Sequence, residues 1–220
     1  MSIGRVVPAP ATRRHCIRVV AGAAAALLLP RARAGAQIEE PLADAVRSAL
    51  SAAISDGAPP RPRFHSTRER IHYVNWLAEM NERLKRFKAT TVTTLQVRRD
   101  FLETAWYESK RAGLETSLVL GLIQVESAFR KFAVSAVGAR GYMQVMPFWA
   151  RLIGDGDAAG LFRMQTNLRF GCVILRHYLD VERGDLYMAL GRYNGSRGRP
   201  EYPNAVLAAQ RGWIFKDKYT

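Results

Sequence analysis

From Leu95 onward the chain is cut into helix-sized apolar segments by residues that stop or start helices. Residues 95–112 end at Gly113, 116–129 follow, and Pro147 sits where the first turn of a short helix tolerates a missing N–H. Gly154 closes that helix, 161–183 stop at Gly184, Asp185 can cap a segment reaching Tyr193, and 202–211 end at Gly212. No segment alternates polar and apolar residues with a period of two between hairpin turns, so little sheet is expected. The fold class is therefore all-α. About 125 residues of helix carrying Trp106, Phe129, Trp149, Phe162, Phe170 and Tyr178 suffice for one independent core.

Within that series Glu126 stands out, an acid at the end of the apolar run 118–129. Burying a carboxylate costs free energy unless its pKa rises or partners hold it, so Glu126 is the first candidate for chemistry. Its helical neighbours Leu122, Ile123 and Phe129 should desolvate it, raise its pKa and keep a proton on it near neutral pH. The following stretch, Gly138-Ala139-Arg140-Gly141-Tyr142-Met143-Gln144-Val145-Met146-Pro147, is a loop able to shape a cleft beside it. Asp155 and Asp157 are the nearest acids downstream, but their glycine-flanked setting reads as a solvated turn without the ligand spacing of a calcium loop. His65, His72 and His177 are isolated, and no metal is expected.

The N-terminus reads as an export signal over residues 1–36. Four arginines without an acid precede the apolar run 19–29, and Ala32-Arg33-Ala34 or Ala34-Gly35-Ala36 offers a cleavage site. The run is shorter than the ~20 residues a bilayer span requires. Thr12-Arg13-Arg14-His15-Cys16-Ile17 suggests the twin-arginine route, with the general secretory route equally open. A periplasmic location is expected either way. Removing the leader's six arginines leaves 27 basic against 19 acidic residues, a net charge of +8 that draws the chain to polyanions such as cell-wall polymers. Nucleic acid is disfavoured by the export signal and the lack of any nucleic-acid-binding motif. Cys172 alone remains after cleavage, which leaves no intramolecular disulfide.

Ahead of the helical series lies an N-terminal helical extension over residues 37–95. A short amphipathic helix spans 41–55 with Leu42, Val46, Ala49, Leu50 and Ala53 on one side, and a Pro-rich linker follows at 57–63. A second helix opens on Ser66-x-x-Glu69, a capping box, with Ile71, Val74, Leu77, Leu84 and Phe87 as its apolar spacing. These helices read as a brace, or as the surface offered to an envelope or secretion-system protein.

The order Glu126-Ser127, then Gly141-Tyr142-Met143-Gln144, then Asn167 with Gly171 four residues on, then Tyr193-Asn194-Gly195 resembles the soluble lytic transglycosylase catalytic domain, of lysozyme-like fold. The resemblance covers roughly residues 96–213 and assigns 96–220 to a catalytic domain. It implies cleavage of the β-1,4 bond between N-acetylmuramic acid and N-acetylglucosamine in peptidoglycan glycan strands, leaving a 1,6-anhydromuramoyl end without a cofactor. It makes Glu126 the sole catalytic acid/base and places Ser127, Met143, Gln144, Tyr193 and Asn194 at the substrate. Tyr193 and Asn194 would position Glu126 and the substrate's N-acetyl group. Tyr142 stands where Leu is commoner and Trp149 where Thr often follows Met-Pro, departures that remove no catalytic group.

Two alternatives stay open at this point. One is a hydrolytic lysozyme using the same acid with water; the other is a glycan-binding part of an envelope-spanning secretion machine with little turnover.

Overall fold

A computed structural model describes Met1 and residues 37–55, 62–87 and 92–217. The expected export signal at residues 2–36 and most of the linker, 57–61, lie outside the described residues. Among the described residues eight α-helices follow in order: α1 Asp44–Ser55, α2 Thr67–Leu84, α3 Leu95–Arg111, α4 Thr116–Ser127, α5 Pro147–Ile153, α6 Met164–Val181, α7 Leu186–Asn194 and α8 Glu201–Arg211. A 3₁₀ turn, Ala159–Phe162, precedes α6. Among the described residues the only strand-like pairings are two isolated bridges, Val134 with Arg140 and Arg140 with Val145, so the expected all-α class holds.

The punctuation residues act as their chemistry requires. Ser66 Oγ accepts the Glu69 N–H at 3.1 Å and Asp185 Oδ1 accepts the Met188 N–H at 3.0 Å, each satisfying a donor that the first turn leaves orphaned. Glu69 completes its box one residue early, accepting the His65 N–H at 2.8 Å. Gly195 ends α7 in the left-handed conformation (φ 74°) that a side chain would resist.

Two expectations are corrected. The helix expected over 161–183 begins instead at Met164, because Arg163 is extended (ψ 128°) and the preceding residues tighten into the 3₁₀ turn. In α2 the buried stripe is Tyr73, Trp76, Met80 and Leu84, whereas Ile71 and Val74 are 52% and 54% exposed. Both stripes have helical spacing. The one carrying two large rings removes more apolar area from water, at ~25 cal/mol per Å², and so faces the core.

The core gathers around Phe129, whose ring meets those of Phe87, Phe101 and Trp213 at centroid distances of 4.8, 5.8 and 5.3 Å. All the helices belong to one compact unit, Arg31–Thr220, and the contacts do not divide near residue 95, since α2 packs on α3. Helix α1 lies on α5 and α6. Its C-terminal carbonyls are met by arginines from the body of the fold: Arg111 donates to Ala53 O at 2.6 Å and Arg169 to Ile54 O at 3.3 Å. Arg169 is held by the buried Glu108 carboxylate at 2.9 Å, an ion pair that would be costly to break by removing either partner.

The contact that matters most for the site is between α4 and α8. A Cβ on Gly121 would meet the Gln210 backbone N at 2.7 Å and Cα at 2.8 Å, so only glycine lets the two helix backbones come this close. Farther along, Glu126 of α4 meets Tyr202 of α8, which makes the two helices antiparallel.

Candidate functional site

Helix α4 delivers Glu126 one residue before it stops. Ala128 and Phe129 then take left-handed backbone angles (φ 48° and 63°), a conformation that costs non-glycine residues free energy and persists only where surroundings enforce it. Burial of the Phe129 ring in the aromatic cluster supplies that enforcement. The abrupt turn leaves Glu126 at the end of an apolar helix with its side chain inside the protein.

Glu126 is 4% exposed, and the two oxygens of its carboxyl group differ. Tyr202 Oη donates to Oε1 at 2.5 Å, while Oε2 is buried without a hydrogen-bond partner. Burial pushes the pKa from its ordinary 4.5 to about 8, and the Tyr202 hydrogen bond offsets part of that rise. At neutral pH the group is therefore mostly protonated. With Oε1 engaged by Tyr202, the proton is free to sit on Oε2. An acid in that state can protonate a leaving group and, once ionised, take a proton back. Burial and the Glu126 charge raise the pKa of Tyr202 well above its usual value, so Tyr202 remains a neutral donor.

The loop 138–147 is fastened from two sides. Asn167 Oδ1 accepts the Met143 N–H at 2.8 Å, and its Nδ2 donates to Arg140 O and Leu161 O, each at 2.8 Å. Gly171, one turn further along α6, leaves room for the Met143 side chain, which a Cβ there would strike. The spacing of Asn167 and Gly171 thus places a clamp and a recess on one face of α6. Gln144 takes a left-handed conformation (φ 49°) and turns its carboxamide inward, donating to Gly141 O at 2.9 Å and Ala133 O at 3.1 Å.

The residues expected at the substrate are accordingly buried parts of this frame. Ser127 donates its hydroxyl to Ile123 O within its own helix at 3.2 Å, and the Met143 side chain is enclosed against α6. Met143 and Gln144, expected to line the cleft against the sugars, are placed in the loop itself: the Met143 side chain fills the recess at Gly171 and the Gln144 carboxamide ties Gly141 O to Ala133 O. Tyr193, expected to hold Glu126, donates to Met143 O at 2.7 Å. Glu126 and Tyr193 still interact electrostatically, since the carboxylate charge helps to raise the Tyr193 pKa. Asn194 donates to Ser196 Oγ at 3.0 Å and leaves Oδ1 buried without a partner, like Glu126 Oε2. The residue that grips the acid, Tyr202, was not singled out from sequence as part of the site.

Asp155 and Asp157 occupy the local turn expected of them. Asp155 Oδ1 accepts the Asp157 N–H at 2.9 Å, Asp157 Oδ1 accepts the Gly160 N–H at 2.9 Å, and Arg163 pairs with Asp157 Oδ2 at 2.6 Å. Two cavities, about 630 Å³ beside α2 and Phe215 and about 610 Å³ between α1, α3 and α6, are not lined by Glu126.

The membrane-bound lytic murein transglycosylase C of Actinobacillus pleuropneumoniae is 40% identical over 115 residues, which is 46% of this chain and 32% of that protein. A transglycosylase of Enterobacteria phage PRD1 is 34% identical over 115 residues, 52% of this chain and 42% of its own length. A crystal structure of an inactive mutant of the lytic transglycosylase Slt from Pseudomonas aeruginosa aligns over 66% of this chain and 27% of its own, with 23% identity and a TM-score of 0.42. The chain spans less than half the length of these two curated relatives, 32% and 42%. Residues 103–206 match the family model Transglycosylase SLT domain, and that stretch holds Glu126, the loop with its clamp, and Tyr193, Asn194 and Tyr202.

Proposed function

We propose that the protein is a peptidoglycan lytic transglycosylase with Glu126 as its one acid/base. The observation that carries this reading is the asymmetric carboxyl: protonated near neutral pH, tethered at Oε1 by Tyr202, and unpartnered at Oε2. In the reaction Oε2–H protonates the glycosidic oxygen as the bond to the anomeric carbon of N-acetylmuramic acid breaks. Such general-acid assistance contributes ~10²–10⁴-fold. The substrate's own N-acetyl group stabilises the anomeric carbon, which replaces the second carboxylate that ordinary retaining glycosidases hold ~5–5.5 Å from the acid. The ionised Glu126 then takes the proton of the muramoyl 6-hydroxyl as that oxygen closes on the anomeric carbon. Glu126 returns to its starting state, and the product is an anhydro end.

The occupation of Asp155 and Asp157 by their own turn and by Arg163 supports a mechanism without a carboxylate partner from that loop. The membrane-bound and murein descriptions of the curated relatives, together with the leader-like residues 1–36, support export to the cell envelope with glycan strands as substrate. Helices α1 and α2 remain the surface we assign to an envelope partner.

Digestion of purified sacculi followed by mass analysis of the soluble products tests the reading. Anhydro-ended muropeptides throughout are expected. Products heavier by one water, with reducing ends, would show a hydrolase; binding without release would show a glycan-binding component.

A further inference from the structure

We propose that Gln37–Glu40 is a substrate-mimicking strap, its Gln37 carboxamide occupying a place that a sugar acetamido group takes when a glycan binds. The inference rests on the glycan-cleaving reading above.

Residues 37–43 have no regular structure, yet Gln37 is almost wholly buried, unusual for a polar side chain in an irregular segment. Its Oε1 accepts the Met146 N–H at 3.3 Å, at the point where the loop 138–147 enters α5. Its carboxamide also reaches the hydroxyl of Tyr193, the residue whose pKa registers the charge on Glu126. The Gln37 Nε2 is nonetheless buried without a well-formed hydrogen bond, so the insert is poorly satisfied and open to displacement. A carboxamide and an acetamido group share the same carbonyl–nitrogen unit. The donor that Gln37 caps is the kind an acetamido carbonyl oxygen needs.

Two ion pairs hold the rest of the strap across the same face. Glu40 pairs with Arg192 at 2.7 Å, next to Tyr193, and Glu39 with Arg151 at 3.5 Å on α5. Both glutamates are about half exposed, so these pairs are weak and screened by salt. A wedge of side-chain contacts and salt-sensitive pairs holds shut a site whose acid, loop methionine and Tyr193 are all enclosed. Opening it is the step a glycan must drive, and the affinity measured for the closed protein is reduced by the fraction of molecules that are open.

The test uses the full chain carrying Glu126→Gln, so that binding is read without turnover, with chitotetraose as probe in a calorimetric titration. Gln37→Ala should tighten binding by about tenfold, as expected if roughly a tenth of the molecules are open. The pair Glu39→Gln with Glu40→Gln, which touches only the rim, should tighten binding at low salt and abolish the gain that raised salt gives the parent chain. Unchanged or weaker binding in both variants would overturn the strap, while binding by the parent would leave the glycan reading intact. No binding of chitotetraose by any of the chains would overturn the glycan reading and the strap with it.

Discussion

Replacing Glu126 with glutamine separates the role of the acid from its cost to the fold. In the native state its pKa is about 8 against an ordinary 4.5, so between those values the folded protein holds a proton that the unfolded chain releases. Stability linked to this group is fully present below pH 4.5, falls as pH rises through the window and levels off above pH 8. At 1.36 kcal/mol per pH unit the fall amounts to about 3 kcal/mol by pH 7 and about 5 kcal/mol above pH 9. The amide cannot ionise, keeps an oxygen for Tyr202 and places an NH₂ where the protonated Oε2 was. Glu126→Gln should therefore match the parent near pH 4.5 and exceed it by increasing margins at pH 7 and 9, measured by urea unfolding. Comparing the two chains cancels the titration of every other carboxylate. Turnover on sacculi should fall at least ~10²–10⁴-fold, and parent activity should decline above pH 8 as the acid loses its proton. Parallel stability curves across pH, or a variant that still releases anhydro products, would refute the reasoning.

Tyr202→Phe removes the hydrogen bond that lowers the Glu126 pKa, so the alkaline limb of the pH–activity profile should move upward and turnover should fall by an amount equivalent to ~1.5–3 kcal/mol. Tyr193→Phe loses the bond to Met143 O and the contact with the Gln37 carboxamide, neither of which touches the acid, so it should cost ~1 kcal/mol of stability while leaving that limb in place; the opposite ranking of the two tyrosines would make Tyr193 the residue that holds the acid. Gly171→Ala drives a methyl into Met143 and should destabilise by ~1–3 kcal/mol in denaturant unfolding, with turnover falling as the loop loosens. Asp155→Asn with Asp157→Asn should leave turnover within about twofold, because exposed turn and ion-pair contacts of this kind contribute ~0–1 kcal/mol; a large loss accompanied by reducing ends would point to a two-carboxylate hydrolase.

What the sequence disclosed and what it withheld divide along physical lines. Helix ends were legible because Gly113, Pro147, Gly184 and Asp185 act through their own local chemistry, which requires no knowledge of distant residues. Glu126 was legible because desolvation by its own helix is a local effect. The clamp was visible as the spacing of Asn167 and Gly171, but its purpose was not, since one binds the Met143 backbone 24 residues back and the other only leaves space. The α2 stripe is legible in its second half, where Leu77, Leu84 and Phe87 pack on the core, but not in its first, where Tyr73 and Trp76 take the place expected of Ile71 and Val74 and only the three-dimensional neighbourhood chooses between the two. Tyr202 was beyond reach: it lies 76 residues from the acid it binds, on a helix whose composition resembles any amphipathic surface helix.

That last omission shows where the chemistry is set. Desolvation alone would raise the Glu126 pKa further than about 8, because Tyr202 opposes it, and Tyr202 arrives only because α8 lies against α4. The approach depends in turn on Gly121, whose missing Cβ admits the Gln210 backbone about a turn and a half of helix from the carboxyl group. A glycine that makes no polar contact with the acid thus governs how tightly its proton is held, through the separation of two helix axes. The pairing also accounts for the asymmetry between the oxygens: α8 approaches from one side and engages Oε1, leaving Oε2 as the oxygen from which a proton can be delivered. The proton affinity of the acid and the packing of the two helices are one property of the fold, which is why an apolar run with a single carboxylate could signal the acid without revealing how it is controlled.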